Sequence, residues 1–150
     1  MLTYIRTTSS NADFQKLVVL LDDYLTIIDG EEHAFYDQFN KIENINHAIL
    51  CYDNNELVGC GAFKQYATSV IEIKRMYVTP ECRDKGIGLE ILNELEKWAN
   101  ELHFTESILE TGKKQLAAIR LYEKAGYIIT GNFGQYANMS NSICMKKSLL

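Results

Sequence analysis

The chain has 150 residues, 47% of them apolar and only one a proline, enough for a single compact domain burying roughly 70% of its unfolded surface. Fifteen Lys and Arg against twenty Asp and Glu give a net charge of −5, and no segment gathers the basic residues needed to follow a phosphate backbone, so nucleic acid is not expected as a partner. No apolar run approaches the ~20 residues of a membrane span, and Cys51, Cys60, Cys82 and Cys144 lack metal-site or disulfide-framework spacing; we expect a soluble cytoplasmic protein with reduced thiols, no leader, no membrane partner and no metal.

From Ala12 to Asp29 the apolar residues Phe14, Leu17, Val18, Leu21, Tyr24, Leu25 and Ile28 recur at three and four, which predicts an amphipathic helix with Asn11 as N-cap. A second, shorter helix is expected over Glu31–Asn40. His47–Tyr52 and Leu57–Tyr66 read as a hairpin turned at Asp53-Asn54-Asn55. Val70–Val78 reads as a strand ended by Pro80, whose ring removes a backbone donor. Gly88–Leu102 gathers Ile91, Leu92, Leu95, Trp98, Ala99 and Leu102 on one helical face. Thr105–Glu110 reads as a strand, Gln115–Ala125 as a helix stopped by Gly126, and Tyr127–Thr130 and Ser142–Lys147 as strands. Alternation of strand and helix after Val70 predicts an α/β domain around a central, mixed, partly parallel sheet flanked by helices.

The segment most able to carry chemistry is the loop from Val78 to Gly88, between a strong strand and a strong helix. Gly86 and Gly88 let backbone approach a ligand closely, the first N–H groups of the helix are free to meet an anion, and Arg83 and Lys85 add positive charge. A Walker A loop does not fit, because Lys85 precedes the glycines and Leu89 follows them. A dinucleotide fingerprint would want a glycine where Ile91 stands. Taken alone, the two glycines also suit a plain helix start.

The run Arg83-Asp84-Lys85-Gly86-Ile87-Gly88 resembles the R/Q-x-x-G-x-G/A acetyl-CoA loop of the GNAT acetyltransferase superfamily, and Gln115 to Tyr127, with Ala118, Tyr122 and Gly126, resembles its N-x-x-A-x-x-L-Y-x-x-x-G-F/Y segment. The departures are Gln115 in place of Asn, and Lys85 where Gly is common. The resemblance implies a GNAT-like fold and an N-acetyltransferase using acetyl-CoA as cosubstrate. It further implies that the backbone of Met76, Tyr77 and Val78 binds the pantetheine arm, that Lys85, Gly86, Ile87 and Gly88 with the Arg83 side chain bind the pyrophosphate, and that Gln115, Ala118 and Tyr122 also face the cofactor. Tyr122 matches the tyrosine that protonates the departing thiolate; otherwise it is a buried helix aromatic.

An attacking primary amine is mostly protonated at neutral pH, so some group must accept its proton. Glu72 is the first candidate and faces the sheet side opposite Ile73; Glu110 is the second; each could instead be a salt-bridged carboxylate, with Lys74 or Arg75 as partners, and a water chain is a third route. Glu31, Tyr36 and Tyr136 fall in segments that line the acceptor pocket in the family, where acidic and aromatic groups suit a cationic amine. A non-catalytic acetyl-CoA sensor or partner-binding module, transfer to a hydroxyl, and use of longer acyl chains are the rivals. Whether the acceptor is a polyamine, amino acid, antibiotic or peptide amine stays open, as does a homodimer.

Overall fold

The computed structural model describes residues 1–32 and 45–150, apart from the side chains of Asp29 and Glu31. Its strands are β1 (Leu2–Thr7), β2 (His47–Asp53), β3 (Glu56–Ala67), β4 (Val70–Val78), β5 (Glu106–Gly112), β6 (Ile128–Thr130) and β7 (Ser142–Ser148), and its helices are α1 (Ala12–Asp29), α2 (Ile87–Glu101) and α3 (Leu116–Lys124). The strands form one sheet in the order β1-β2-β3-β4-β5-β7-β6. β4 and β5 run parallel and every other neighbouring pair is antiparallel, so the sheet is mixed, as expected.

Local chemistry sets most boundaries. The Asn11 side chain accepts hydrogen bonds from the Asp13 and Phe14 amides, satisfying two donors that α1 itself leaves unpaired. Asn54 and Asn55 both take positive φ, 50° and 73°, which gives the β2–β3 hairpin the twist of a two-residue turn. The helix expected over Glu31–Asn40 lies outside the described residues except at its start, where Gly30–Glu32 forms a short 3-10 turn.

Both faces of the sheet are covered, which explains why β2 is apolar at nearly every position. Phe14, Leu17, Val18 and Leu21 of α1 pack on Ala48, Leu50, Cys60, Ala62 and Tyr77. On the opposite face Ile87, Ile91, Leu92, Leu95 and Ala99 of α2 pack on Ile49, Cys51, Val58, Phe63, Ile71 and Ile73, joined by Tyr122 of α3. Each fully buried Leu or Ile contributes about 1.5–3 kcal/mol. His47 belongs to this packing: its ring stacks on Phe63 at 4.6 Å and meets the edge of Trp98 at 4.8 Å, and burial lowers its proton affinity.

Two elements depart from the sequence reading. β1 was not expected; it is an edge strand largely open to solvent, so its apolar alternation is weak and its pairing with β2 is what defines it. β5 runs two residues further than Thr105–Glu110, because β7 continues to pair with it as far as Gly112 opposite Ser142. Glu110 therefore lies within a strand and not at its end.

Candidate active site

The site begins with a parting of strands. β4 and β5 pair over three positions only, Val70 with Glu106, Ile71 with Ser107 and Glu72 with Ile108. Beyond these, β4 stays with β3 up to Val78 and β5 stays with β7 up to Gly112, leaving a wedge between them. A bulge accompanies the divergence: Arg75 and Met76 together oppose the single residue Gly61, since Lys74 pairs with Ala62 and Tyr77 with Cys60. Arg75 takes φ of 59°, an uncommon conformation for a residue with a Cβ. Its guanidinium is held by Asp22 of α1, Nη1 to Oδ1 at 2.8 Å, with the Arg75 side chain 3% exposed. That part-buried, charge-assisted bond supports the strained bulge from the neighbouring layer.

At the far end of β4 the chain makes a 3-10 turn over Pro80–Cys82 and enters α2 through Gly86. Gly86 is the N-cap, at φ 81° and ψ 4°, and has no side chain to cap the helix, so the leading amides of α2 are left for a ligand. Nothing lies within 4 Å of where a Gly86 Cβ would stand, so conformation rather than space requires glycine there. At Gly88 the reverse holds: a Cβ would come within 3.2 Å of Leu121, so its bareness lets α2 and α3 meet closely. Lys85 and Arg83 are both exposed on this loop. The Arg83 Nε donates to the Val78 carbonyl at 2.8 Å, and its guanidinium lies over the rings of Tyr24 and Tyr77 at 5.5 and 5.4 Å.

The wedge opens into a cleft lined by Leu21 and Leu25 of α1, Glu72 through Met76 of β4, Glu110 through Gly112 of β5, Gln115, Tyr122 and Tyr136. Glu72 is buried and pairs with Lys74, Oε2 to Nζ at 3.2 Å, while Ile73 faces the α2 core, as strand alternation requires. Burial, and secondarily the charge of Glu110, raises the Tyr122 hydroxyl well above the ordinary tyrosine range. Burial, then Glu110 and Glu72, does the same to Tyr136, which is 1% exposed. Both phenols are therefore donors throughout the neutral range. The Tyr122 hydroxyl has no hydrogen-bond partner among the described residues, and its ring meets Tyr127 edge-on at 6.0 Å.

Of the residues singled out from the sequence, the fold brings Glu72, Glu110, Met76, Gln115, Tyr122 and Tyr136 to one cleft. Tyr77 and Val78 continue the β4 edge toward the loop that carries Arg83, Lys85, Gly86, Ile87 and Gly88. Gln115 precedes α3 instead of opening it, and Ala118 is half-buried against the α2-side core. Tyr36 lies outside the described residues, as does the Glu31 side chain. Sequence reasoning passed over Leu21 and Leu25 as pocket walls and Asp22 as partner of Arg75; their helical spacing signals only a buried stripe, and nothing local marks which end of it borders a cleft. Four free cysteines, three of them buried, stand apart from this cleft.

The arrangement is that of an α/β domain with an uncapped helix start beyond one end of a strand wedge and a carboxylate and a phenol on the cleft wall. A family model for the acetyltransferase (GNAT) family matches residues 14–127. An IAA acetyltransferase of Azospirillum brasilense is 37% identical over 136 residues, covering 89% of each chain. Among solved structures, one named for an acyl-CoA N-acyltransferase of Klebsiella pneumoniae superposes with a TM-score of 0.84 at 29% identity, over 100% of this chain and 99% of that one. The PaiA N-acetyltransferase of Thermoplasma acidophilum, solved with coenzyme A, has a TM-score of 0.72 at 18% identity over 99% of both chains, a likeness of fold. The chain belongs to the acetyltransferase (GNAT) family, and it is an acetyl-CoA-dependent N-acetyltransferase with acetyl-CoA as cosubstrate.

The residues present fit that cosubstrate. An uncapped helix start suits a pyrophosphate, and the β4 edge left without a strand partner suits an arm rich in amides. Gly86→Ala is expected to raise the acetyl-CoA dissociation constant about tenfold in calorimetry, because an L-residue in the left-handed region costs about 1–2 kcal/mol and this exposed loop relaxes when free and must be re-strained on binding. An unchanged constant would show that the loop keeps its shape without glycine.

Proposed function

We propose that the cleft transfers the acetyl group directly to a primary amine of a small molecule or peptide, with no covalent acyl-enzyme. Glu72 accepts the proton that the amine gives up, and Tyr122 donates to the sulfur as it leaves. One observation carries this reading: Glu72, Tyr122 and the Met76 bulge line a single cleft where β4 and β5 part. The amine needs an acceptor because a lysine-like nitrogen, with a pKa of about 10.4, is almost wholly protonated at pH 7. Glu72 is favoured over Glu110 because it is the more deeply buried and already holds an ammonium group, that of Lys74, at 3.2 Å.

In this reading the backbone of Met76, Tyr77 and Val78, which β5 does not pair, holds the pantetheine arm, and an amide there faces the carbonyl oxygen as negative charge builds on it. The amides of Lys85, Gly86, Ile87 and Gly88 meet the pyrophosphate, and Arg83 reaches it with the guanidinium donors not spent on Val78. Gln115, on the cleft wall, and Ala118, one turn into α3, also meet the cofactor in this reading. Leu21, Leu25 and Tyr136 wall the acceptor side, and the Glu110 carboxylate on the same wall adds negative charge that favours a cationic group. Free thiols suit a cytoplasmic setting.

The test is release of free thiol from acetyl-CoA with a panel of polyamines, amino acids, aminoglycoside-like antibiotics and peptide N-termini. The relative's name makes IAA a further member of that panel. Thiol release that depends on one class of amine is the expected result. Binding of acetyl-CoA with no release across the panel would remove amine transfer as the reading of this cleft.

A further inference from the structure

The acceptor side of the cleft already contains an amine. Lys74 stands two residues after Glu72 on β4, so alternation puts both side chains on the face that borders the cleft. Its Nζ lies 3.2 Å from Glu72 Oε2, and the two side chains are 9% and 4% exposed. An external acceptor would have to reach this same arrangement before transfer: a nitrogen against the carboxylate that takes its proton, in the cleft that Tyr122 and Met76 also line.

We propose that Lys74 Nζ is itself an acetyl acceptor, modified by its own active site when acetyl-CoA is bound and no external amine fills the cleft. The inference rests on the proposed function above. Glu72 takes a proton from the Lys74 ammonium, and the freed Nζ bonds to the acetyl carbonyl carbon. The carbon–sulfur bond then breaks with its electron pair going to sulfur. Of the two protons the nitrogen gives up in forming the amide, one ends on the coenzyme A thiol by way of Tyr122, and the other reaches solvent from Glu72. Burial lowers the proton affinity of Lys74, Lys64 acts in the same direction, and Glu72 and Glu110 oppose them, so the neutral amine is more accessible here than on an open surface. Arg75, paired with Asp22, and the protonated phenols Tyr122 and Tyr136 are the other charged and titratable groups on the cleft wall among the described residues. Acetylation would remove the Lys74 charge, dissolve its ion pair with Glu72 and leave an amide in the acceptor space. The enzyme would thus be self-limiting when acetyl-CoA outruns the acceptor.

The test incubates the intact protein with acetyl-CoA alone and follows it by intact-mass and peptide mass spectrometry, with calorimetry on the same sample. The expected result is a gain of one acetyl group on Lys74, at least about tenfold faster than on the exposed Lys97 and Lys146, because the target is held at the site. The rate constant should not depend on protein concentration, and Lys74→Arg should lose that modification while slow acetylation of Lys97 persists. Heat of acetyl-CoA binding with Lys74 unmodified, or modified no faster than Lys97, overturns this inference and leaves the proposed function standing. No heat of binding overturns both.

Discussion

Glu72→Gln is expected to lower kcat/KM for amine transfer by about 10²- to 10³-fold while leaving the calorimetric affinity for acetyl-CoA unchanged. The substitution keeps the shape of the side chain but removes the only charge state that can take a proton. At pH 7 a lysine-like amine, with a pKa of about 10.4, is free base in roughly one molecule in 2,500, so an enzyme that loses its acceptor must wait for that fraction. A second signature follows. The variant's rate should climb about tenfold per pH unit toward the amine's own pKa, whereas the wild-type rate should rise less steeply. Cofactor affinity is untouched because the helix start at Gly86 lies at the other end of β4. Lys74 loses its anionic partner in this variant, so Glu72→Asp serves as a control that keeps the charge and should recover part of the rate. If Glu72→Gln turns over normally, Glu110 or a water chain carries the proton.

Tyr122→Phe should lower kcat by about 10- to 10²-fold, with the acetyl-CoA dissociation constant and the melting temperature nearly unchanged. The ring stays in place against Tyr127, and the hydroxyl that is lost has no hydrogen-bond partner among the described residues, so the fold has little to lose. Burial and Glu110 hold this phenol well above its ordinary pKa of about 10, making it a weaker acid than a simple thiol at about 8.5. Its contribution is therefore a hydrogen bond to sulfur that strengthens as charge accumulates. The proton follows only because the same burial makes the leaving thiolate more basic than it is in water. That limits the expected loss to less than the loss of the base. An unaffected kcat would take Tyr122 out of the chemistry and return it to the core, where its packing with Ile71, Ile73 and Leu109 already gives it a structural reason to be there.

Much of this site was legible before any coordinates. The strand Val70–Val78, the turn at Asn54-Asn55, the cap at Asn11 and the helix after Gly86 are set by contacts within a few residues, and each emerged at or within one residue of its expected boundary. Glu72 could be placed opposite Ile73 because strand alternation needs no partner to define it. The loop motif, read with the segment around Tyr122, was specific enough to name the family.

The sequence by itself determined the mixed α/β architecture, the family, the glycine-led start of α2 and the alternation of Glu72 with Ile73 on β4. Tertiary structure alone decided that β4 and β5 part after three paired positions, that Arg75 adopts a left-handed bulge secured by Asp22 from another layer, and that Lys74 is the group that meets Glu72. The physical reason is range. Caps, turns and alternation are settled by neighbours in the chain, whereas a wedge between strands exists only once β3, the hairpin neighbour, has claimed β4 and β7, from the last residues of the chain, has claimed β5.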